Sequence, residues 1–399
     1  MSDKKRNVPV LRFNGFSDAW EQRKLGELGK VTTGKAFSSI DFDEQGEYLV
    51  ITNKDISTSS RSQNVVTDRI NVSDKNIIEK YNLNGENILV TMDGVNLGKT
   101  AMYSNENALL AQRVGRIQST QLEFVYQITS SNNFFMTMRT LSVGNAIKHI
   151  SLSQISNYST LVPNNEAEQQ KIGELFKHLD NTIALHQRKL DTLKQMKKGF
   201  LQQLFPKNGE KVPRMRFTGF QEEWEQRKFG EMVNRLNKTS NSSGLPKVEF
   251  EDIISGAGRL NKDISNKFDN RKGVIFHPNN ILYGKLRPYL KNWLHPNFKG
   301  VALGDFWVFE ASDTHPFFIY ILIQSENYQK VANDTAGTKM PRSDWKKVSN
   351  TNFLIPTEKY EQQKIGSFFK QLDNTITLHQ YKLDQLNILK RSCLQNMFI

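Results

Sequence analysis

The stretch Leu161–Phe205, LVPNNEAEQQKIGELFKHLDNTIALHQRKLDTLKQMKKGFLQQLF, returns as Leu354–Phe398, LIPTEKYEQQKIGSFFKQLDNTITLHQYKLDQLNILKRSCLQNMF, at a constant offset of 193 residues. A second pair of matching segments, VPVLRFNGFSDAWEQRKLGEL at Val8–Leu28 and VPRMRFTGFQEEWEQRKFGEM at Val212–Met232, is offset by 204 residues. The inserts between these matching ends show no comparable match. One frame that holds two different inserts indicates one task carried out on two different targets.

Both copies of the first stretch have the spacing of a long amphipathic helix. After Pro163 and Pro356, apolar residues recur in steps of four and three, which is the seam of a coiled coil. Asn164, Asn165 and Thr357 are candidate N-caps. About 40 residues at about 1.5 Å each give a rod of roughly 60 Å. The predicted seam consists of Ile172, Phe176, Leu179, Ile183, Leu190 and Leu193 in the first copy and of Ile365, Phe369, Leu372, Ile376, Leu383 and Leu386 in the second.

Two near-identical apolar stripes in one chain favour pairing with each other. We expect an antiparallel intramolecular coiled coil with a pseudo-two-fold axis, because closed two-fold pairing is the common outcome for like surfaces. The predicted fold class is therefore α+β, with two mixed α/β domains at residues 1–160 and 206–353 and spacer helices at 161–205 and 354–399.

Four polar residues interrupt the seam. His186, His379, Lys197 and Lys390 are interpreted as positions that set the register of the helix pair. Cys393 is interpreted as a small buried hydrophobe. As the one cysteine of the chain, it excludes an internal disulfide and a cysteine-based zinc site.

The 399 residues carry a formal net charge of +13, and more than half of this excess lies in residues 206–353. A basic surface neutralises phosphates and releases counterions, which makes nucleic acid the natural partner. Basic chains are common, however, so charge alone specifies no function. We find no apolar run long enough to cross a membrane and no leader sequence, and we expect a soluble cytoplasmic protein.

Short apolar runs in the inserts predict strands. In the first insert these are Glu47–Ile51, Asn87–Thr91 and Leu109–Ile117, and in the second they include Val248–Ile254 and Phe306–Phe309. Basic residues next to aromatics suit a nucleic-acid face, because lysine and arginine hold phosphates while arginine, asparagine and glutamine read base edges. The alternative is an ordinary solvated loop.

No motif of an enzyme is complete. GVNLGKT at Gly94–Thr100 is one residue short of a phosphate-binding loop, and SGAG at Ser255–Gly258 lacks the third glycine of a dinucleotide loop. The histidines outside the helices are scattered without metal-ligand spacing. We therefore predict no catalytic residues, no metal site and no cofactor in this chain, which favours a recognition component over an enzyme.

The arrangement resembles the specificity (S) subunit of type I restriction–modification systems. The resemblance rests on FxGFxxxWEQRKxGE at Phe13–Glu27 and Phe217–Glu231, and on the EQQKIG helix starts at Pro163–Gly173 and Pro356–Gly366. The insert segments NILVTMDG and NILYGKLRPYL contribute as well. It covers essentially the whole chain.

The resemblance implies a non-catalytic DNA-recognition role. Each insert would be a target recognition domain that reads one half of a split double-stranded DNA sequence, with the helices as a ruler. Two methyltransferase (M) subunits would bind S-adenosylmethionine and make N6-methyladenine. Two restriction/motor (R) subunits would use ATP and Mg²⁺ to complete the nuclease.

Carried over by motif, the predicted DNA-binding residues lie in loops after the matched strands. In the first domain they are Lys54, Asp55, Thr91, Asp93, Asn96, Lys99, Gln112, Arg113, Lys148 and His149. In the second domain they are Arg259, Lys285, Arg287, Tyr289, Lys291, Thr338, Lys339 and Arg342.

Two further features have structural interpretations. Trp20 and Trp224 are expected to pack each domain onto the helix pair. The helix faces Glu168–Lys171 and Glu361–Lys364 are expected to be exposed, either for the methyltransferase or as solvated charge. The alternatives for the whole chain are a self-sufficient DNA-modifying enzyme and a solitary DNA-binding protein. A DNA mimic is disfavoured because it should be acidic.

Overall fold

A computed structural model gives the architecture of the chain. It describes residues 7–56, 67–144, 148–207, 209–265, 267, 270–335 and 339–399. The contacts divide the chain into two compact units, the first formed by Met1–Leu185 with Leu383–Ile399 and the second by His186–Lys382. Each unit combines a sheet with helices, so the α+β class is confirmed. The domain limits at 1–160 and 206–353 stay a prediction, since each compact unit also includes helix segments.

The first unit is built around a six-stranded sheet of order β2-β7-β5-β6-β3-β4, with a separate pair β1-β8, among the described residues. Its strands are β1 (Glu21–Lys24), β2 (Lys30–Thr33), β3 (Tyr48–Ile51), β4 (Arg69–Ile70), β5 (Asn82–Thr91), β6 (Thr100–Leu110), β7 (Val114–Gln118) and β8 (Ser159–Val162). Its helices are α1 (Leu25–Leu28), α2 (Lys75–Tyr81), α3 (Leu122–Thr129), α4 (Asn132–Leu141), α5 (Leu152–Ser156) and the first part of α6 (Glu166–Gln203).

The second unit contains two four-stranded sheets within the part of the chain that the structure describes, β10-β19-β16-β17 and β11-β15-β18-β12, with pairs β13-β14 and β20-β9. Its strands are β9 (Glu225–Lys228), β10 (Val233–Leu236), β11 (Thr239–Ser240), β12 (Lys247–Val248), β13 (Ile253–Ile254), β14 (Arg259–Leu260), β15 (Gly273–Phe276), β16 (Ile281–Gly284), β17 (Trp293–Leu294), β18 (Gly300–Ala302), β19 (Phe306–Ala311) and β20 (Asn352–Ile355). Its helices are the second part of α6, α7 (Phe229–Met232), α8 (Pro316–Leu322), α9 (Glu326–Ala332), α10 (Trp345–Asn350) and most of α11 (Lys359–Met397).

The predicted strands are found, with two of the runs divided. Leu109–Ile117 is not a single strand, because β6 ends at Leu110 and β7 begins at Val114. The chain turns between them at Arg113, whose φ of 68° lies in the left-handed region. The Val248–Ile254 run is likewise split into β12 and β13 by one 3-10 turn.

The repeated leading segments are fixed to the starts of the long helices. Arg12 donates two hydrogen bonds to Glu168, of 2.7 and 2.8 Å, and Arg216 donates two to Glu361, both of 2.8 Å. The two glutamate side chains are 1% exposed. The prediction that Glu168–Lys171 and Glu361–Lys364 form exposed faces is therefore wrong at the two glutamates, which are used inside the fold. It is also wrong at Gln169 and Gln362, which are buried and donate to Pro163 O at 2.8 Å and to Pro356 O at 2.9 Å.

The long helices begin close to where the sequence predicts. The Asn165 side chain accepts a hydrogen bond from Ala167 N at 2.9 Å, so Asn165 is the N-cap of α6. For α11, the carbonyl that accepts from Gln362 N belongs to Glu358, so the predicted cap Thr357 is one residue too early. A helix end has unpaired N–H groups that such residues satisfy.

In the first unit, the beginning of α6 packs against the end of α11. Phe176 contacts Phe398 with ring centroids 6.0 Å apart, and Lys390 forms an ion pair with Asp180. In these contacts the residue numbers fall along α11 as they rise along α6, so the two segments run antiparallel. Trp20 is buried in the same cluster and meets Phe398 edge to face, which confirms its expected packing role.

The second unit repeats these contacts with the other halves of the helices. Lys197 Nζ lies 2.7 Å from Asp373 Oδ1, and His186 Nδ1 lies 2.9 Å from His379 Nδ1. The segments are again antiparallel. Trp224 packs edge to face on the Phe205 ring, as Trp20 does on Phe398.

The seam residues are buried or half-buried throughout. Ile172, Phe176, Leu179, Leu190, Ile365, Phe369 and Leu383 are buried, and Ile183, Leu193, Leu372, Ile376 and Leu386 are half-buried. Cys393 is buried, as expected. The polar residues of the seam have partners across the helix pair, as register positions would.

Candidate nucleic-acid interface

In the first unit, predicted site residues meet where β3 and β5 end and β7 begins. Asp93 accepts hydrogen bonds from the side chains of Asn53 and Arg113, the second at 3.1 Å from Arg113 Nη1 to Asp93 Oδ2. His149 pairs with Asp93 in an isolated bridge, and Gln112 is exposed on the turn that carries Arg113. We name this group corner 1 (Asn53, Asp93, Gln112, Arg113 and His149).

A corresponding group in the second unit lies at the end of β16 and the start of β19. Arg342 Nη2 donates to Asp305 Oδ2 at 3.0 Å and Arg342 Nε to Asp305 Oδ1 at 3.4 Å. Lys285 Nζ lies 3.6 Å from Asp305 Oδ1, and Arg287 N donates to Pro341 O at 2.7 Å. We name this group corner 2 (Lys285, Arg287, Asp305 and Arg342).

The two corners share one backbone frame. The strand order β2-β7-β5 of the first unit corresponds to β10-β19-β16 of the second. At each corner, the residue that directly follows β5 or β16 makes two backbone hydrogen bonds. One joins it to the turn before the neighbouring strand, β7 or β19, and the other joins it to a later loop. These bonds are Met92 N to Arg113 O (3.1 Å) and Ile150 N to Met92 O (2.8 Å) at corner 1, and Lys285 N to Asp305 O (2.9 Å) and Ser343 N to Lys285 O (2.9 Å) at corner 2. The inserts therefore present different side chains from the same positions.

Backbone strain is concentrated at the corners and beside them. Among the described residues, the non-glycine residues with positive φ are Arg113, Asn279, Arg287 and Lys291. Three of these are basic residues of the predicted DNA-binding set. A left-handed conformation costs a non-glycine residue free energy, and such residues cluster at functional sites.

Other predicted residues of the first unit have different environments. Lys54 is exposed and lies 3.1 Å from Asp68. Asp55 is turned inward, since its carboxylate accepts from Thr52 N at 2.8 Å. Thr91 is 0% exposed, and its hydroxyl accepts from Lys99 N at 3.0 Å, so it shapes the turn and offers no surface to a ligand.

Three remaining residues of the first unit differ in exposure. Asn96 and Lys99 are half-buried in the turn between β5 and β6, whereas Lys148 is exposed. The GVNLGKT segment forms this turn and leads into a strand, not into the helix that a phosphate loop requires.

Several predicted DNA-binding residues of the second unit lie on two neighbouring turns. Tyr289 is exposed in a 3-10 turn that Arg287 and Lys291 bracket. The β13–β14 hairpin, which carries Arg259, is joined to this turn by Gly256 N donating to Lys291 O at 2.9 Å. Lys339 is exposed near Arg342, and Thr338 lies outside the described residues.

Neighbouring cations hold two carboxylates of the second unit, Asp305 and Asp252, in the ionised form. Partial burial raises the pKa of Asp305, but the hydrogen bond from Arg342 and the charges of Arg342 and Lys285 outweigh it, so this pKa lies below its ordinary value. At the base of the hairpin, burial opposes the ionisation of Asp252. Hydrogen bonds from Lys267 and Lys262 nevertheless keep its pKa low.

Sequence reasoning missed two members of the corners, Asn53 and Asp305. Asn53 stands beside the predicted Lys54, in the run that follows β3. Asp305 follows Gly304, whose φ of 81° marks a tight turn before β19. A Gly-Asp pair directly before a strand was the available signal for Asp305.

Two absences among the described residues bear on the type of site. No group of three or more His, Cys, Asp or Glu residues is placed to hold a metal ion in this part of the chain. No helix within the described ranges combines the length and apolarity that a membrane crossing needs.

Comparison with known proteins gives a consistent result. A family model for the type I restriction modification DNA specificity domain matches the chain twice, at residues 17–195 and 221–387. The type I restriction enzyme MjaVIII specificity subunit of Methanocaldococcus jannaschii is 23% identical over 416 residues, which cover 97% of this chain and 94% of that protein. The crystal structure of a type I restriction–modification S subunit from M. genitalium has the same fold. Its TM-score is 0.67 at 14% identity, and the match covers 98% of this chain and 99% of that one.

Proposed function

Because the chain belongs to the type I restriction–modification DNA specificity family, we propose that each unit carries one reader of a bipartite, asymmetric DNA target. The chain is a specificity subunit, the non-catalytic component that recognises DNA. Corners 1 and 2 carry this proposal, since one backbone frame presents two different side-chain sets. That is what two unlike half-sites require.

The readers are the target recognition domains at residues 1–160 and 206–353. Exposed arginines, glutamine and histidine at the corners would read base edges, while exposed lysines would hold phosphates and fix the register. The phosphate-holding set would include Lys54, Lys148, Lys291 and Lys339, which are exposed. Thr91 and Asp55 support the loops from inside and are left out of the contact surface.

The spacer helices at 161–205 and 354–399 would act as the ruler. An antiparallel coiled coil of the two, with a pseudo-two-fold axis, would turn the readers in opposite senses and leave a spacer of DNA unread. Two methyltransferase subunits with S-adenosylmethionine and two motor–nuclease subunits with ATP and Mg²⁺ would complete the assembly in the cytoplasm. The partner subunits would then carry out the chemistry, and this chain would determine where on the DNA they act.

The test is to co-express the chain with a type I methyltransferase subunit in a methylation-free host and to sequence the DNA for N6-methyladenine. We expect one split, asymmetric motif, modified on both strands. Expression of the chain without the methyltransferase subunit is the control and should give no methylation. Methylation by the chain alone would support a self-sufficient enzyme, and a stable complex without new methylation would reject the proposal.

A further inference from the structure

Resting on the proposed role in DNA recognition, we propose that Arg113 and Arg342 each read a guanine, one in each half-site. Asp93 and Asp305 would be positioning residues that hold the two guanidinium groups with one donor edge facing the DNA. The ligand at each corner would then be the major-groove edge of a G·C pair.

The donor geometry at corner 2 leaves one edge of the guanidinium free for a base. Arg342 uses Nε and one side of Nη2 on Asp305, which is the side edge of the planar group. The end edge, with one N–H each on Nη1 and Nη2, has no bond to this carboxylate. Guanine offers O6 and N7 as two adjacent acceptors in the major groove, and two parallel N–H groups match them. The Arg342 side chain is 51% exposed, so the free edge is accessible.

At corner 1 the guanidinium of Arg113 also keeps two adjacent N–H donors for a base, but on its other edge. Arg113 bonds Asp93 through Nη1 alone, which leaves Nε–H and the neighbouring Nη2–H side by side. Its side chain is 58% exposed. The bond to the carboxylate restricts the orientation of the guanidinium, and the left-handed backbone of Arg113 determines where the side chain starts.

The two pairs come from different positions of the frame. At corner 1 the arginine lies on the turn before β7, and the aspartate follows β5. At corner 2 the aspartate lies on the turn before β19, and the arginine comes from the later loop. Two different inserts thus place an arginine against a carboxylate at the same corner. Ion pairs whose arginine is half-exposed contribute little to stability, so folding alone does not account for this coincidence.

A base contact fits the carboxylates better than a phosphate contact does. An aspartate beside the arginine repels a phosphate and weakens such a contact. The same aspartate improves base reading, because discrimination depends on a guanidinium that is already oriented. Exposed lysines near both corners remain available to contact the phosphates of the DNA.

The test uses the complex with the methyltransferase subunit, motif sequencing, and binding to duplexes that differ in one base pair. The wild-type motif should contain a G·C pair in each half-site. Arg342→Gln should lower affinity for the G·C duplex by about ten- to hundredfold and relax that position alone. Arg113→Gln should do the same in the other half-site, so each variant is the control for the other.

Two conservative variants separate reading from charge. Arg342→Lys keeps the charge but replaces the planar pair of donors with a flexible ammonium, so it should weaken the preference for G·C less than Arg342→Gln does. Asp305→Asn should reduce the preference for G·C over A·T, while affinity for the A·T duplex is retained or rises. A structural loss would instead lower affinity for both duplexes and impair assembly with the methyltransferase subunit.

The unfavourable outcomes are distinct. A half-site without a G·C pair, or an unchanged motif in Arg342→Gln with equal loss of affinity for all duplexes, would overturn the guanine assignment and leave the proposed function intact. A stable complex that methylates no split motif would reject the proposed function, and the guanine assignment with it.

Discussion

At Gly366, the last residue of the second EQQKIG motif, a Cβ atom would lie 2.6 Å from Phe317 Cβ. Gly173 occupies the same place in the first copy, where a Cβ would lie 2.8 Å from Phe124 N. The repeated glycine is therefore explained by the close approach of each long helix to the start of a short one. A side chain at either position has to push packed atoms apart.

We predict that Gly366→Ala lowers the free energy of unfolding by about 1–3 kcal/mol, the usual cost of overpacking. Gly199→Ala is the matched control, because this glycine lies within α6 and a Cβ there meets nothing within 4 Å. It should raise stability by up to about 1 kcal/mol through helix propensity. Thermal unfolding of the purified proteins measures both, and equal shifts of the two midpoints would contradict the packing explanation.

His295 gives the second unit a specific acid sensitivity. Burial, together with the charges of Lys370 and His315, lowers its pKa from 6.5 to about 4. A histidine with a depressed pKa favours the folded state fully above pH 6.5, and this contribution is lost as the pH falls towards 4. Its ring centroid lies 4.4 Å from that of Phe317, so an aromatic replacement keeps the packing.

His295→Phe should therefore remove part of the stability loss between about pH 6.5 and pH 4, by about 2–3 kcal/mol at about pH 4. Urea unfolding across this pH range measures the effect. The exposed His277, replaced by Gln, is the control and should leave the profile unchanged. A profile for His295→Phe that is parallel to the wild type would show that this histidine is not responsible.

At the scale of elements, the seam of the long helices carries a partly buried ion pair in each unit. The Lys197 and Asp373 side chains are 11% and 23% exposed. Burial raises the pKa of Asp373 in spite of the attraction of Lys197, so desolvation is the larger effect. Such a pair specifies register and adds little to stability.

Asp373→Leu alone should lower the free energy of unfolding by about 3–5 kcal/mol, since it leaves the Lys197 charge unpaired. The double variant Lys197→Met/Asp373→Leu should be neutral or more stable by up to about 3 kcal/mol. Denaturant unfolding compares them, and the corresponding pair Lys390 and Asp180 offers the same test in the first unit. A double variant as unstable as the single one would show that the pair is a net stabilising contact.

Some elements can be predicted from the sequence more reliably than others. The 38 residues of α6 repeat one period long enough to identify the helix without any tertiary information. The turn at Arg113 was missed because no glycine or proline stands at its left-handed position, whose carbonyl accepts from Met92 N at corner 1. The burial of Glu168 was missed because its partner Arg12 is 156 residues away.

The candidate site was predictable only in part for the same reason. Basic residues in or near the predicted strands could be carried over by motif from the family that the chain resembles, which led to Arg113, Lys285 and Arg342. Asp305, the partner of Lys285 and Arg342, could not be assigned to them, because the Gly-Asp pair marks a turn whereas the pairing depends on which turns the sheet brings together. The frame common to the two inserts consists of backbone hydrogen bonds, which leave no trace in the side-chain sequence.

For the whole molecule, the ruler proposal makes the length of the helices a determinant of the DNA target. Insertion of one heptad after Thr182 and of another after Lys382 preserves the heptad phase of both helices. The insertions lie between the Asp180–Lys390 pair and the His186–His379 pair on both helices, so these contacts stay in register.

We expect the double insertion to lengthen the unread spacer and to leave both half-sites unchanged. One heptad of helix adds about 10 Å, which corresponds to no more than about three base pairs at about 3.4 Å each. Each added base pair also rotates the second half-site around the duplex, so weaker methylation is expected together with the longer spacer. Insertion in α6 alone is the control, because it breaks the register of the helix pair and should abolish methylation. If motif sequencing of the double insertion returned the original spacer, the helices would not set the distance between the half-sites.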